Sequence, residues 1–314
     1  MMKALHIVSP GRLGVTEVEV PKLQRWEVLV QTKACGICMG DVHTFSGELP
    51  RGYPVFAGHE GVGVVAEVGE GVEDLEEGDK VTTLAGRAFA EFYKTDVSRV
   101  ARIPVDVGKF ERWVSEPVAC AVNGIRGVEV EVGDDVCVVG CGYMGLLLIQ
   151  GLPKTFIHKL VALDLKDENL GLAERFGAEV TLNPGKGDVV KEVRKVLGRG
   201  VDVVIEAVGV VGAIELATQL VRPGGKLAIF GYHVKPERVP TDEWHNKGLR
   251  ILNTAPSFSK NFVKDFQDAV KLMRKGVFNQ ELLITHVNPY TEAQEAFEAA
   301  LKRPTGYIKG VLTF

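Results

Sequence analysis

Two rhythms of apolar and polar residues divide the chain. From residue 1 to about residue 100, short alternating segments such as EVLVQTKA (27–34) and GVGVVAEVGEGV (61–72) are separated by Gly, Pro and acidic turns. Alternation with a period of two puts one face of a strand on a core and the other in water, so this region predicts a β barrel or sandwich. From about Asp134 the runs become continuously apolar, DVCVVG, KLVALDL, VDVVIEAVG and KLAIFGY, and alternate with helical patterns such as DVVKEVRKVLG and GAIELATQLV. Strands buried on both faces and crossed by helices give that pattern, which predicts a parallel α/β sheet. After LRILNTA the chain returns to amphipathic helices, KNFVKDFQDAVKLMRKG and TEAQEAFEAALKR, and ends in a strand, IKGVLTF. It carries no internal repeat.

Composition narrows the classes. The 314 residues, 46% hydrophobic and 25% charged, suffice for two domains with ordinary cores. A net charge of −4 argues against nucleic acid or an anionic membrane as partner, since both favour a strongly basic face. A small molecule is the expected partner. The N-terminus MMKALHIVSPGRLG has no long apolar core with a small-residue cleavage site, and no apolar run reaches the roughly 18 residues of a membrane span, so a cytoplasmic protein is expected. Five cysteines, 35, 38, 120, 137 and 141, are too few and odd in number for a secreted disulfide framework; reduced thiols or ligands are expected.

The second region has a chemical signature. In VCVVGCGYMGLLLIQG, Gly140, Gly142 and Gly145 fit G-x-G-x-x-G directly after a strand and at the start of a helix. The first glycine makes the tight turn, the second admits a pyrophosphate, and the third lets helix pack on strand. The N–H groups of Tyr143 and Met144 would then face the phosphates. Asp164 ends the next strand, nineteen residues after Gly145, where a carboxylate can bind the adenosine ribose hydroxyls. That charge repels a 2′-phosphate, and Leu165 offers no compensating cation, so NAD is favoured over NADP, with Lys166 nearby as the countervailing charge.

The first region carries a different chemistry. ACGICMGDVHTFSG (34–47) packs Cys35, Cys38, Asp41 and His43 together, and YPVFAGHEG adds His59 and Glu60. Thiolate, imidazole and carboxylate together suit zinc, and a catalytic zinc keeps one position open. Cys35 and Cys38 alone could be a redox pair or half a zinc ribbon, but the next cysteine is Cys120, which excludes a four-cysteine structural site.

CGICMGDVH, GHEGVGVVAEVGEGV with GDKV, SEPVACAVNG, VVGCGYMG and the ending VLTF resemble the zinc-dependent medium-chain dehydrogenase/reductase family of alcohol, sorbitol and threonine dehydrogenases, in family order over the whole chain. The resemblance implies a GroES-like β-rich catalytic domain, residues 1–117 and 256–314, around a Rossmann doubly wound domain, residues 118–255. It implies one catalytic zinc per chain, held by Cys38 and His59, with Glu60 and Glu116 as direct or water-mediated ligands. Asp41 resembles the carboxylate that orients the histidine ligand. Lys309 lies where some members place a cation near the pyrophosphate. TTLAGRAFAEFYKT follows GDKV directly, so the cysteine-rich lobe that holds a second zinc in many relatives is absent. A homo-oligomer, dimer or tetramer, is implied as well.

The implied reaction is hydride transfer between a secondary alcohol or polyol, of sugar, cyclitol or amino-alcohol type, and NAD, with zinc as Lewis acid on the substrate oxygen. If Cys38, Glu60 and Glu116 all bound at once the site would be net −1, so one glutamate is expected to step back. Gly40 departs from the pattern: relatives place Ser or Thr there, whose hydroxyl passes the alcohol proton towards a histidine matching His43. Either a water or a substrate hydroxyl bridges instead, or the protein is a poor alcohol dehydrogenase. Two alternatives stay open, a zinc-free quinone or enoyl reductase of the same fold and a noncatalytic NAD-binding regulator. Cys35, Cys120, Cys137 and Cys141 read as small buried hydrophobes. Phe45, Phe56, Phe89 and Trp113 read as core, and Trp244 as either pocket or loop packing. The remaining histidines match no site motif.

Overall fold

The computed structural model describes residues 1–314, the side chain of residue 258 excepted. The chain forms two compact units, one of Met1–Val118 with Phe266–Phe314 and one of Ala119–Asp265. It passes between them inside the helices Glu116–Gly127 and Phe262–Arg274. The segment after LRILNTA stays with the second unit as far as Asp265, because Arg126 pairs with the Asp265 carboxylate and Ser259 Oγ donates to it.

The first unit is built on a seven-stranded sheet in the order Ile284–Pro289, Lys309–Thr313, Glu27–Gly36, Glu60–Val68, Lys80–Thr83, Val100–Arg102, with Phe92–Asp96 also paired to Glu27–Gly36. Its central strands Glu27–Gly36 and Glu60–Val68 are buried over most of their length on both faces, not on one face as alternation predicts, and the core gathers Val28, Val30, Phe45, Val65, Phe89 and Phe297. Phe45 and Phe89 meet the ring of Phe297 edge-on, with centroids 5.5 and 5.7 Å away. Burying each ring stabilises the fold by roughly 1.5–3 kcal/mol. Phe45 and Phe89 are therefore core residues, as their pattern predicts.

The second unit holds a parallel six-stranded sheet in the order Val180–Leu182, Lys159–Leu163, Asp135–Val139, Val201–Glu206, Val221–Ile229, Arg250–Asn253. Strand order reverses between Asp135–Val139 and Val201–Glu206, so the crevice for a ligand opens beyond their carboxyl ends. The predicted runs coincide with the central strands, which are buried on both faces: all five residues of Asp135–Val139 and all six of Val201–Glu206 are inaccessible or nearly so. Trp244 packs within this unit, its indole Nε1 donating to Thr218 Oγ1 at 2.8 Å. None of the five cysteines is in a disulfide, and Cys35, Cys137 and Cys141 are buried. Among the described residues no helix is long and apolar enough to cross a membrane.

Candidate active site

Cys38 stands at the N-terminus of the helix Met39–Ser46, in extended conformation, and its Sγ accepts a hydrogen bond from the Gly40 N–H at 3.4 Å. The thiolate is the form of cysteine that binds metal. The opposite end of the helix closes on Gly47, whose φ of 85° is the left-handed conformation that glycine adopts without a Cβ penalty. His59 and Glu60 arrive from the neighbouring strand. Glu60 pairs in register with Gly36, the residue that ends Glu27–Gly36 just before the Cys38 turn. A Cβ at Gly36 would overlap Glu60 Oε2, so this glycine makes the space that the carboxylate fills.

One ligand atom from each of Cys38, His59 and Glu60 lies within 4.8 Å of the others. Glu60 is 2% exposed, and its carboxylate faces the Lys309 ammonium. Asp41, also buried, has an Oδ2 that accepts no hydrogen bond among the described residues and lies 3.6 Å from His59 Nδ1. A buried carboxylate oxygen without a donor costs free energy unless a cation answers it. Thiolate, imidazole and carboxylate at this spacing fit zinc. The electrostatics agree in direction: burial opposes a charge on His59, but Cys38, Asp41 and Glu116 overcome it and push its pKa well up, and burial raises Asp41 while His59 pulls it down. Glu116 thus acts on His59 at a distance. It is not among the three side chains that converge within 4.8 Å.

Lys309 requires a correction. It was expected at the pyrophosphate, but its ammonium is nearly inaccessible and lies 2.6 Å from Glu60 Oε2 and 2.7 Å from Oε1, with the Ile37 carbonyl accepting at 3.0 Å. An ammonium can be buried only against such partners, and Glu60 provides the charge. Burial lowers the pKa of Lys309, but Glu60 and Cys38 raise it further, so the net shift is upward and the amine stays charged. The expectation missed this pair because it depends on strand register across the sheet.

His43 projects from the same helix as Gly40, and its Nδ1 lies 2.7 Å from Glu48 Oε2. A carboxylate only accepts, so Nδ1 carries the proton in this contact. At Gly40 a Cβ would meet nothing nearer than Cys38 Sγ at 3.8 Å, and the backbone is not left-handed there. The glycine is therefore not required by the chain path, and a serine side chain fits.

In the second unit the three glycines divide their tasks as the motif demands. Gly140 has φ 98°, and a Cβ there would lie 2.6 Å from Val208 Cγ2. Gly142 faces open space, and a Cβ at Gly145 would overlap the Gly140 carbonyl oxygen. Tyr143 and Met144 begin the helix Tyr143–Gly151, whose N-cap, Gly142, supplies no side-chain acceptor to the first turn. Asp164 accepts from the Cys141 N–H at 2.7 Å and the Lys166 N–H at 2.8 Å, which ties the glycine turn to the end of the adjacent strand.

Residues 24–123 match the alcohol dehydrogenase GroES-like domain family, and residues 144–275 match the family described as zinc-binding dehydrogenase. An alcohol dehydrogenase of Geobacillus stearothermophilus is 31% identical over 335 aligned positions, covering 95% of this chain and 94% of that protein. The chain belongs to the zinc-type medium-chain dehydrogenase family. Its fold agrees with that of 2R,3R-butanediol dehydrogenase from Bacillus subtilis, at TM-score 0.88 and 27% identity over 100% of both chains. A zinc-binding dehydrogenase from Sinorhizobium meliloti 1021, solved with NADP bound, is similar at TM-score 0.86 and 26% identity over 100% of this chain and 99% of that one. As a member of this family the chain is a GroES-like and Rossmann-type dehydrogenase acting on a small molecule with a nicotinamide cofactor.

Proposed function

We propose that this dehydrogenase interconverts a secondary alcohol or polyol and its ketone with NAD, using one zinc held by Cys38, His59 and Glu60, with Glu116 as a further carboxylate outside that trio. The observation that carries the reading is the convergence of one ligand atom each from Cys38, His59 and Glu60 within 4.8 Å of one another. Bound there, zinc supplies Lewis-acid polarisation of a substrate oxygen. Asp41 orients His59 through Nδ1, and Lys309 balances the charge of Glu60. The alcohol proton passes towards His43, whose Nδ1 faces Glu48, with an ordered water standing where a hydroxyl at position 40 would otherwise relay it. Gly142, the N–H groups of Tyr143 and Met144, and the carboxylate of Asp164 receive the pyrophosphate and the adenosine ribose. The Asp164 charge repels a 2′-phosphate, which favours NAD, although a similar protein binds NADP.

Elemental analysis combined with turnover of a panel of secondary alcohols, cyclitols, sugar alcohols and amino alcohols, each with NAD and with NADP, tests this reading. The expected result is about one zinc per chain and faster turnover with NAD. Turnover in zinc-free protein would make it a reductase of the quinone or enoyl type, and NAD binding without turnover of any alcohol would make it a regulator. His43→Ala should slow alcohol oxidation by about 10² to 10⁴, most clearly below neutral pH, where hydroxide cannot replace the base. Gly40→Ser should keep or raise kcat on small alcohols and penalise bulky ones. An unchanged pH profile in His43→Ala removes His43 from the relay.

A further inference from the structure

At the carboxyl end of Val201–Glu206 a histidine is held between two carboxylates. Glu206 is fully buried, and its Oε1 accepts from the Val208 and Gly209 N–H groups, both at 2.7 Å. Its Oε2 lies 3.1 Å from His233 Nε2, while His233 Nδ1 lies 2.6 Å from Glu237 Oε2. A carboxylate can only accept, so both ring nitrogens must carry protons for both bonds to exist, and the ring is an imidazolium. We propose that His233, clamped in this way between Glu206 and Glu237, is a positioning residue for the nicotinamide nucleotide: its charge pins loop 230–237 to loop 206–209 beside the glycine turn. The inference rests on the nucleotide site described for the second unit.

The two loops are built to touch. The Phe230 and Gly231 N–H groups both donate to the Glu206 carbonyl at 2.9 Å, and a Cβ at Gly231 would lie 2.6 Å from Glu206 Oε2 and collide with the Gly209 backbone. Val208 in turn abuts Gly140, the first glycine of the turn. What the clamp holds in place is an apolar rim at the ligand crevice: Val208, Val210 and Tyr232 are each about half exposed, at 47%, 50% and 53%. Exposed apolar side chains beside a phosphate-binding turn give a planar nucleotide ring a surface to lie on.

The clamp is proton-linked. Burial disfavours the charge on His233, but Glu206 from the strand end and Glu237 from the loop outweigh it, and the pKa is raised. Lys235 is the loop's other charged side chain, and Arg238 directly follows the loop. A raised pKa means that the clamp is intact on the acid side and is lost as pH rises through that value, when one nitrogen lone pair comes to face a carboxylate. Glu206 keeps its two backbone donors, so the bond to the more exposed Glu237 is the one released.

Titrating the full chain with NADH and with NADPH by fluorescence between pH 6 and 9 tests the proposal. The dissociation constant of the better ligand should rise by about tenfold across that range, within the span of ordinary coupling between sites. His233→Gln should be pH-independent and weak throughout. Glu237→Gln, which leaves every buried partner in place, should weaken binding at pH 6 and flatten the curve. Nitrogen-15 shifts of His233 should show both ring nitrogens protonated at pH 6. Binding by His233→Gln and Glu237→Gln that equals the parent at every pH, or a singly protonated ring at pH 6, overturns the clamp while leaving the nucleotide site standing. Retention of neither NADH nor NADPH by the parent overturns both.

Discussion

Cys38→Ser and His59→Ala should each yield a folded protein that still binds a nicotinamide nucleotide, contains no stoichiometric zinc, and oxidises alcohols at least about 10³-fold more slowly. The rate figure follows from losing a Lewis acid that contributes several kcal/mol of charge stabilisation at the reacting oxygen, each 1.4 kcal/mol being a factor of about ten. Folding should survive Cys38→Ser because a serine at the helix N-cap accepts the Gly40 N–H that the sulfur now accepts. Nucleotide affinity should survive because Gly140, Gly142 and Asp164 belong to the other unit. Elemental analysis, nucleotide titration and kcat on the best alcohol of the panel are the three measurements. A Cys38→Ser protein that retains one zinc per chain, or that loses nucleotide binding while folded, contradicts the assignment of ligands or the separation of the two sites.

The parts of the site that were legible in the sequence are those encoded within one turn or one strand. The glycine turn could be read because each glycine answers a local demand, a positive φ at 140, open space at 142 and a close carbonyl at 145. Cys38, Asp41 and His43 could be read because one short helix carries all three, and His59 with Glu60 because they are adjacent. Lys309 could not. Its contact with Glu60 spans 249 positions and exists because Lys309–Thr313 pairs with the end of Glu27–Gly36, which pairs in turn with Glu60. No propensity or spacing reports a register of that kind. The His233 clamp was hidden for a related reason, since Glu206 ends one strand and His233 follows another. The resemblance had a family role for Lys309, but only the packing shows which anion it meets.

That meeting changes the charge accounting at the proposed zinc site. Counting three anionic side chains against one divalent ion left a net negative centre and led to the expectation that one glutamate retreats. The buried ammonium of Lys309 offsets one of those charges, so the centre can be neutral with Cys38, Glu60 and Glu116 all ionised. A neutral centre keeps the ion acidic towards a substrate oxygen without expelling a ligand.

Lys309→Met should destabilise the fold by about 3–5 kcal/mol, because it leaves Glu60 as a buried carboxylate stripped of its counter-charge. The environment admits no easy rescue by solvent, with Glu60 2% and Lys309 5% exposed. The sign with pH follows from the raised pKa of Lys309: the ion pair contributes throughout the acid and neutral range and is lost only in strong alkali, so the deficit of the variant should be visible at pH 7. Urea denaturation of chelator-treated protein measures it, since bound zinc could otherwise answer the orphaned charge. Pairing the change with Glu60→Leu removes the uncompensated anion and should recover most of the loss, as apolar replacement of a buried ion pair commonly does. Zinc affinity should respond in the opposite order, with Lys309→Met leaving Glu60 free to bind more tightly and the double variant binding more weakly. A Lys309→Met protein within about 1 kcal/mol of the parent would mean that the carboxylate finds water or a proton at little cost, and that Lys309 does not hold Glu60 in its ionised form.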